Sequence, residues 1–535
     1  MKSTKPKGPL AGVLIALFLS IGMPLFAGAH AIDSPRSSVI RRAPAAPVFD
    51  EKTRFAELAG RRARVAQAVG VKGILIMLSA EPRVYANDVD YEYRQENNLY
   101  YLTNLAQKGA TLVLTPSNTL VPEILFIPKR NAFREAWTGH MYTPEEASQI
   151  SGLTEIWDAT ELAPFLLSLR NREPYRPKPE KILKSSISAS AVDGLTRSGF
   201  EKVFEAAAKN DADLYMMLPG QGESKEYRAE QLFQADWAKT PSGYNLKNVT
   251  PIFADLRLRK SPFEIQLMQH AIDITTEAHQ RSWAAAGDAK WEYEIDAQVA
   301  YTFKLRNADH WGYPSIVGCG PNATTLHYIE SQGQVKPGEL MLMDVGAEYQ
   351  HYSADVTRTF PVNGKFSPAQ AAIYQIVYDA QEAAARAARP GAPYSGVHLA
   401  ATEVIKDGLL KLGLITERDS GQHRIWFIHG TTHWLGMNVH DVGSAAKLEP
   451  GMIFTNEPGI YIRPDALDNL PKTAANEKFI AAVRPVFEKY KGIGVRIEDD
   501  MLITPDGVKW MTEALPRKIV DIEAFIARAR REAAR

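Results

Sequence analysis

Residues 340 to 344 read Leu-Met-Leu-Met-Asp, an apolar run that ends on a carboxylate. As a strand, its period-two alternation sets Asp344 on the face of Leu340 and Leu342, where a core belongs. A charge buried there costs on the order of several kcal/mol unless a cation or hydrogen-bond donors satisfy it. Asp355 follows eleven residues later, inside Ser353-Ala354-Asp355-Val356-Thr357. A hairpin centred on Tyr349 and Gln350 makes the two acids cross-strand neighbours, about 5 Å apart at Cβ. Two anions that close repel unless something positive lies between them. Any fold open to this chain has to solve that problem.

The problem returns further along. Glu457 ends the strand Met452–Asn456 ahead of Pro458-Gly459, and Glu498 sits in Val495-Arg496-Ile497-Glu498-Asp499-Asp500. His429, His433 and His440, three of the twelve histidines, fall within twelve residues beside glycine and tryptophan. One histidine among apolar residues is ordinarily a satisfied core group, and one acid at a strand end is ordinarily ion-paired or exposed. Taken together, these are not. Asp344, Asp355, Glu457 and Glu498 carry four negative charges, the balance for two divalent cations. His433 completes an oxygen-rich set suited to Mn²⁺, Co²⁺ or Zn²⁺. Two such ions about 3.5–4 Å apart hold a bridging hydroxide at neutral pH and polarise a carbonyl.

Around these acids the elements recur. Ser261-Pro262-Phe263-Glu264 is a capping box with a first-turn proline, opening a helix that runs to about residue 286. A helix over 293–306 follows, then strands near Ile316, at 340–345 and at 356–362. Ser367-Pro368-Ala369-Gln370 opens another helix, to about 388. A helix at about 395–412 comes next, then strands at 452–455, 461–462, 495–498 and 501–504. Two successive helix-helix-strand sets predict a pseudo-duplicated α+β domain over residues 251–535. Residues 51–250 precede it with a helix at 51–69, apolar strands at 73–78, 99–102, 111–114 and 124–127, and a helical stretch at 144–150. That alternation predicts an α/β domain, although helical and loop signals mix without a clear reading beyond residue 186. Residues 32–50, with SPRSS and APAAP, read as a flexible lead.

Lys2, Lys5 and Lys7 precede the apolar run Leu10–Phe26 and then Ala29-His30-Ala31. Basic, apolar, then small is the order of a cleavable export signal over residues 1–31. Its removal leaves 59 basic against 62 acidic residues, so a soluble, faintly acidic, periplasmic or secreted chain is expected. Such a chain has no bulk positive field for nucleic acid and no membrane contact beyond export. The single cysteine, Cys319, excludes an intramolecular disulfide framework and a thiolate zinc cluster. No HExxH, GxSxG or Walker loop occurs. Gly318-Cys319-Gly320-Pro321-Asn322-Ala323 mimics a nucleotide loop, but Pro321 and the lack of a following helix make it a site-lining turn.

Five stretches, in order, resemble the pita-bread metallopeptidases: Leu342-Met343-Asp344-Val345-Gly346, Asp355-Val356-Thr357-Arg358-Thr359-Phe360, His429 to Gly443, Asn456-Glu457-Pro458-Gly459 and Arg496-Ile497-Glu498-Asp499-Asp500. The likeness is closest to the Xaa-Pro aminopeptidases (aminopeptidase P), with the Xaa-Pro dipeptidases (prolidases) second. It spans about 255–515 and extends more weakly to Tyr93-Arg94-Gln95 and Asn97–Leu102, which fit a creatinase N-terminal-like, non-catalytic domain. The resemblance implies that Asp344 binds one ion, that Asp355 and Glu498 bridge both, and that His433 and Glu457 complete the other. Mn²⁺ is the first expectation. It implies that Glu457 also shuttles a proton to the leaving proline nitrogen, and that His327 and His440 contact the scissile amide. His429, Tyr461 and Arg496 would line or brace the proline pocket. Trp137, in Glu135-Ala136-Trp137-Thr138-Gly139, resembles an aromatic that reaches a neighbouring subunit's site, so a homo-oligomer is implied.

The substrates implied are peptides with proline at the second position, cut before the proline. Proline's nitrogen has no N–H, and a site that works from an activated hydroxide with histidine donors needs none. The long segment from Arg463 to Lys491 looks more like a prolidase, which leaves dipeptide-only cleavage as the alternative. A metal-free scaffold of the same fold and creatinase-type chemistry both lack ligands that are all present in this sequence.

Overall fold

The strand Gly73–Leu78 is central to the first half because both of its faces are apolar. Ile74 and Ile76 pack with Phe126, Trp157 and Phe165 on one side, while Leu75 and Met77 pack with Leu102, Leu112 and Phe263 on the other. The computed structural model, which describes residues 39–175, 177–187, 199–218 and 227–533, places this strand in a seven-stranded mixed sheet. In space the strands run 182–184, 156–158, 123–127, 111–114, 73–78, 212–216 and 244–248. The last two are parallel strands from the stretch that sequence left unread, set among the helices Glu201–Ala208 and Arg228–Trp237. The export signal read over residues 1–31 lies outside the described residues.

One of the two sheet cores is shared with the second half of the chain. Phe253, Phe263, Leu267, Leu435 and Met437 enter it, so apolar packing runs unbroken across the boundary. Each large side chain fully buried there is worth about 1.5–3 kcal/mol. Residues 39–50, expected as a flexible lead, instead lie along the second half. The Arg41 N–H donates to Gln280 Oε1 at 2.6 Å, the Ala43 N–H donates to Glu277 Oε2 at 2.8 Å, and the Phe49 ring sits 4.0 Å from that of Phe263.

A second expectation fails at Leu99–Leu102, which is helical rather than a strand: the helix spans Asn97–Thr103. Glu96 caps it by accepting the Leu99 N–H at 2.7 Å, and Asn104 closes it in the left-handed conformation at φ 54°. A short apolar run has no period to separate strand from helix, so the caps at its ends decide.

The capping boxes at Ser261 and Ser367 do open helices, Pro262–Ala285 and Pro368–Ala387. Each is followed by a second helix, Glu292–Leu305 or Ser395–Leu412. The first pair leads into an antiparallel sheet of strands 316–319, 340–345 and 356–361. The second leads into strands 453–456, 499–504 and 507–510, with the pair 459–461 and 494–496 beside them. The result is a pseudo-duplicated pita-bread domain. The long Arg463 to Lys491 segment contains the helix Ala474–Tyr490, which buries Phe479, Val483, Phe487 and Tyr490 in the main core. Among the described residues no helix is long and apolar enough to cross a membrane.

The hairpin that carries the first two acids differs by a shift of its centre. Asp344 pairs with Thr357, and the same register continues through Glu348 with Ser353 to Tyr349 with Tyr352. The turn therefore sits on Gln350 and His351, both at positive φ (47° and 68°), as a two-residue hairpin turn matched to strand twist requires. By that register Asp355 lies opposite Gly346, two residues along from Asp344 on the same face, rather than directly across from it. A Cβ on Gly346 would come within 1.9 Å of the Ala354 carbonyl oxygen, so this position opposite an acid has no room for a side chain.

Candidate metal centre

The four acids expected as ligands sit at strand ends from both sheet sets. Asp344 is near the end of Leu340–Val345, Asp355 precedes Val356–Pro361, and Glu457 follows Ile453–Asn456. Glu498 falls between Gly494–Arg496 and Asp499–Thr504. His433 is fixed beside them by its N–H on Thr455 Oγ1 at 3.1 Å. Asp355, His433 and Glu498 each offer a ligand atom within 4.8 Å of the others. His433 Nε2 lies 3.3 Å from Asp355 Oδ2 and 3.4 Å from Glu457 Oε1. Asp344 joins through Tyr313, whose hydroxyl is 2.5 Å from Asp344 Oδ1 and 2.6 Å from Asp355 Oδ1.

Against these four carboxylates the described residues set one guanidinium within 4.0 Å. Arg496 reaches Asp344 Oδ2 at 2.5 Å and lies 4.0 Å from Glu498 Oε2. Protonation equilibria register the excess of negative charge. Burial pushes Asp355 up, with His433 opposing and Asp344 adding. Burial, then Asp355 and Glu457, push Glu498 well above the usual carboxylate range. Burial brings Glu457 up to about 7. Burial alone would lower His433, yet its bond to Asp355 and the charge of Glu457 lift it to about 9. All four shifts are what crowded anions in a closed space produce.

This donor set fits divalent cations. Hard oxygens outnumber the protein's own cations, and His433 is oriented as a ligand should be. Its Nδ1–H faces the Trp434 carbonyl at 3.1 Å, which turns Nε2 toward the carboxylates.

The expected pocket residues form a hydrogen-bonded chain. Arg496 donates to the Tyr461 oxygen at 2.8 Å, so the Tyr461 proton goes to His429 Nε2, also at 2.8 Å. His429 then carries its own proton on Nδ1, facing the Gly430 carbonyl at 2.6 Å. Burial, assisted by Arg496, brings His429 down to about 3 and so keeps it neutral, as that chain requires. The His440 ring stands edge-on to His433, 4.3 Å between centroids, and burial together with His433 lowers its affinity for a proton. His327 is exposed, close enough to His440 to act on it electrostatically. Trp137 is not brought to this place. It is 74% exposed, on the helix Ala132–Thr138, which has no buried residue.

Three participants escaped sequence reasoning. Tyr313, which joins Asp344 to Asp355, stands between Gly312 and Pro314 in a loop with no motif spacing to mark it. Asp500 accepts the Asp355 N–H at 3.2 Å and is held well above the usual range by burial and Asp355. Thr357 donates to Glu498 Oε2 at 2.6 Å and accepts from Arg496 Nε at 3.0 Å. Its place two residues after Asp355, on the same strand face, was the available signal.

Residues 266–505 match metallopeptidase family M24, and residues 58–175 match the aminopeptidase P N-terminal domain. The chain is 34% identical to the Xaa-Pro aminopeptidase of Haemophilus influenzae, over 87% of its own length and 96% of that protein. It is 32% identical to the Xaa-Pro aminopeptidase of Escherichia coli, over 86% and 95% respectively. Among solved structures it is similar to the aminopeptidase PepP of Pseudomonas aeruginosa, with a TM-score of 0.72 and 29% identity over 90% of this chain and 99% of that one.

Proposed function

The chain belongs to metallopeptidase family M24, and from that premise we propose that it releases the N-terminal residue of peptides whose second residue is proline. The observation that carries this is the convergence of Asp344, Asp355, His433, Glu457 and Glu498 at one place. These five residues would hold two divalent ions, Mn²⁺ first. When bound, the pair supplies an activated water and polarises the scissile carbonyl.

The remaining work falls to side chains. Glu457, beside His433 at the centre, accepts a proton and returns it to the leaving proline nitrogen. His440 and His327 donate N–H groups toward the carbonyl oxygen as charge develops there. The Arg496–Tyr461–His429 chain, with Phe427 5.3 Å from His429, makes a fixed wall for the proline ring. The N-terminal domain limits access to chain ends. Exposed Trp137 belongs to the site of a second copy in a homo-oligomer, and the basic-apolar-small leader directs export.

Protein reconstituted with Mn²⁺ and offered Xaa-Pro and Xaa-Pro-Yaa side by side tests this. Release of Xaa from the tripeptide is expected. Cleavage of the dipeptide alone would make the chain a prolidase, and no cleavage of either with metal bound would make it a scaffold.

A further inference from the structure

The loop that delivers His440 is gripped by a buried charge cluster tied to the N-terminal domain. The next residue, Asp441, has a side chain only 1% exposed, and two cations meet it. Arg257 donates to Oδ1, and Lys260 Nζ lies 3.6 Å from Oδ2; both cations are as deeply buried as the acid. Arg257 has a second partner across the domain boundary, Asn98 Oδ1 at 2.8 Å. Beside it, Asn97 Nδ2 donates to the Met437 carbonyl at 3.2 Å and to Asn438 Oδ1 at 2.7 Å. Arg94 donates to the Met437 carbonyl as well, at 3.0 Å, while paired with Glu348 at 2.8 Å.

From the other side, a single peptide group sets the position of both imidazoles. The Trp434 carbonyl accepts the Asp441 N–H at 2.9 Å and faces His433 Nδ1 at 3.1 Å. The loop is also built around the acid: a Cβ at Gly436 would come 2.1 Å from Asp441 Oδ2. Glu96 also acts on Arg257 and Glu264 on Lys260, whose proton affinity burial lowers, and burying such a cluster is seldom the most stable way to fill the space. What it does supply is a fixed direction for the backbone on which His440 stands.

On the footing of His440 at the scissile carbonyl, we propose that Asp441, held by Arg257 and Lys260 and braced by Asn97 and Asn98, is the positioning residue for His440. The N-terminal domain thereby acts on the transition-state contact as well as covering the cleft. A double-mutant cycle in the full-length, Mn²⁺-loaded protein, with Xaa-Pro-Yaa as substrate, tests it. Asp441→Asn is expected to lower kcat by about 10–100-fold, with KM and bound Mn²⁺ little changed. In a His440→Ala background the same change is expected to cost nothing further, because the group it positions is gone. Losses that multiply, or wild-type kcat in Asp441→Asn, overturn the proposal. Wild-type kcat in His440→Ala would remove the role of His440 itself, and the proposal with it. A loss there with none in Asp441→Asn removes the proposal alone. Because Asp441→Asn leaves two buried cations without their acid, Asn98→Ala repeats the cycle from the other domain. A smaller, severalfold loss that vanishes beside His440→Ala is expected, and a multiplying loss again overturns it.

Discussion

Glu498 and Asp499 are consecutive and both are buried, yet their surroundings are opposite. Asp499 accepts from Arg358 Nη2 at 2.6 Å, from Gln381 Nε2 at 2.7 Å and from the Thr512 hydroxyl, with Arg517 3.8 Å away. Glu498 receives the Thr357 hydroxyl at 2.6 Å, lies 4.0 Å from Arg496, and is crowded by Asp355, Glu457 and Asp344. The two buried side chains point apart, one into the interior and its neighbour toward the other acids. The first is neutralised by its own chain. The second belongs to a group that the chain leaves negative, and that imbalance is the chemical signature of a cation site.

The sharpest way to break this contrast is to remove charge on each side of it. Asp355→Asn is expected to abolish turnover while leaving the metal-free protein at least as stable toward urea as wild type, since one of several mutually repelling anions is gone. A marked loss of metal-free stability would make Asp355 a structural acid like Asp499. Asp499→Asn is expected to cost about 3–5 kcal/mol in the same urea titrations, because it leaves the buried Arg358 unpaired. An Asp499→Asn protein as stable as wild type would erase the distinction.

Tyr313→Phe keeps all the ligands and removes only the hydroxyl shared by Asp344 and Asp355. A loss of about 10–100-fold in metal affinity or activity, read by metal titration and by kcat, is expected. The smallest effect is on pH dependence. Raised carboxylates and a raised His433 both mean that the folded, metal-free site binds more protons than the unfolded chain. Its contribution to stability is therefore greatest in acid. It declines as pH rises past the ordinary carboxylate range, through about 7 at Glu457, and on to about 9 at His433. Urea midpoints measured across that range should fall more steeply without Mn²⁺ than with it; parallel slopes would contradict the charge argument.

The acids that converge were legible because they stand at the ends of strand-like runs, and the helices of the duplicated domain were legible through the caps at Ser261 and Ser367. Both signals are local. The hairpin register was not legible, since Gln350-His351 carries none of the glycine or asparagine that ordinarily marks such a turn. Tyr313, and the meeting of Arg257 with Asp441, depend on contacts between segments far apart in sequence, and nothing in the residues flanking either announces a partner. The helix at Asn97–Thr103 was missed for a third reason: its cap is a glutamate, a residue common everywhere.

Anomalous diffraction from crystals of the full-length protein saturated with Mn²⁺ is the most direct test of the centre. Two peaks per chain are expected, about 3.5–4 Å apart, both touching Asp355 and Glu498, one also touching Asp344 and the other His433 and Glu457. A single peak, none at all, or a pair held by other side chains would contradict it.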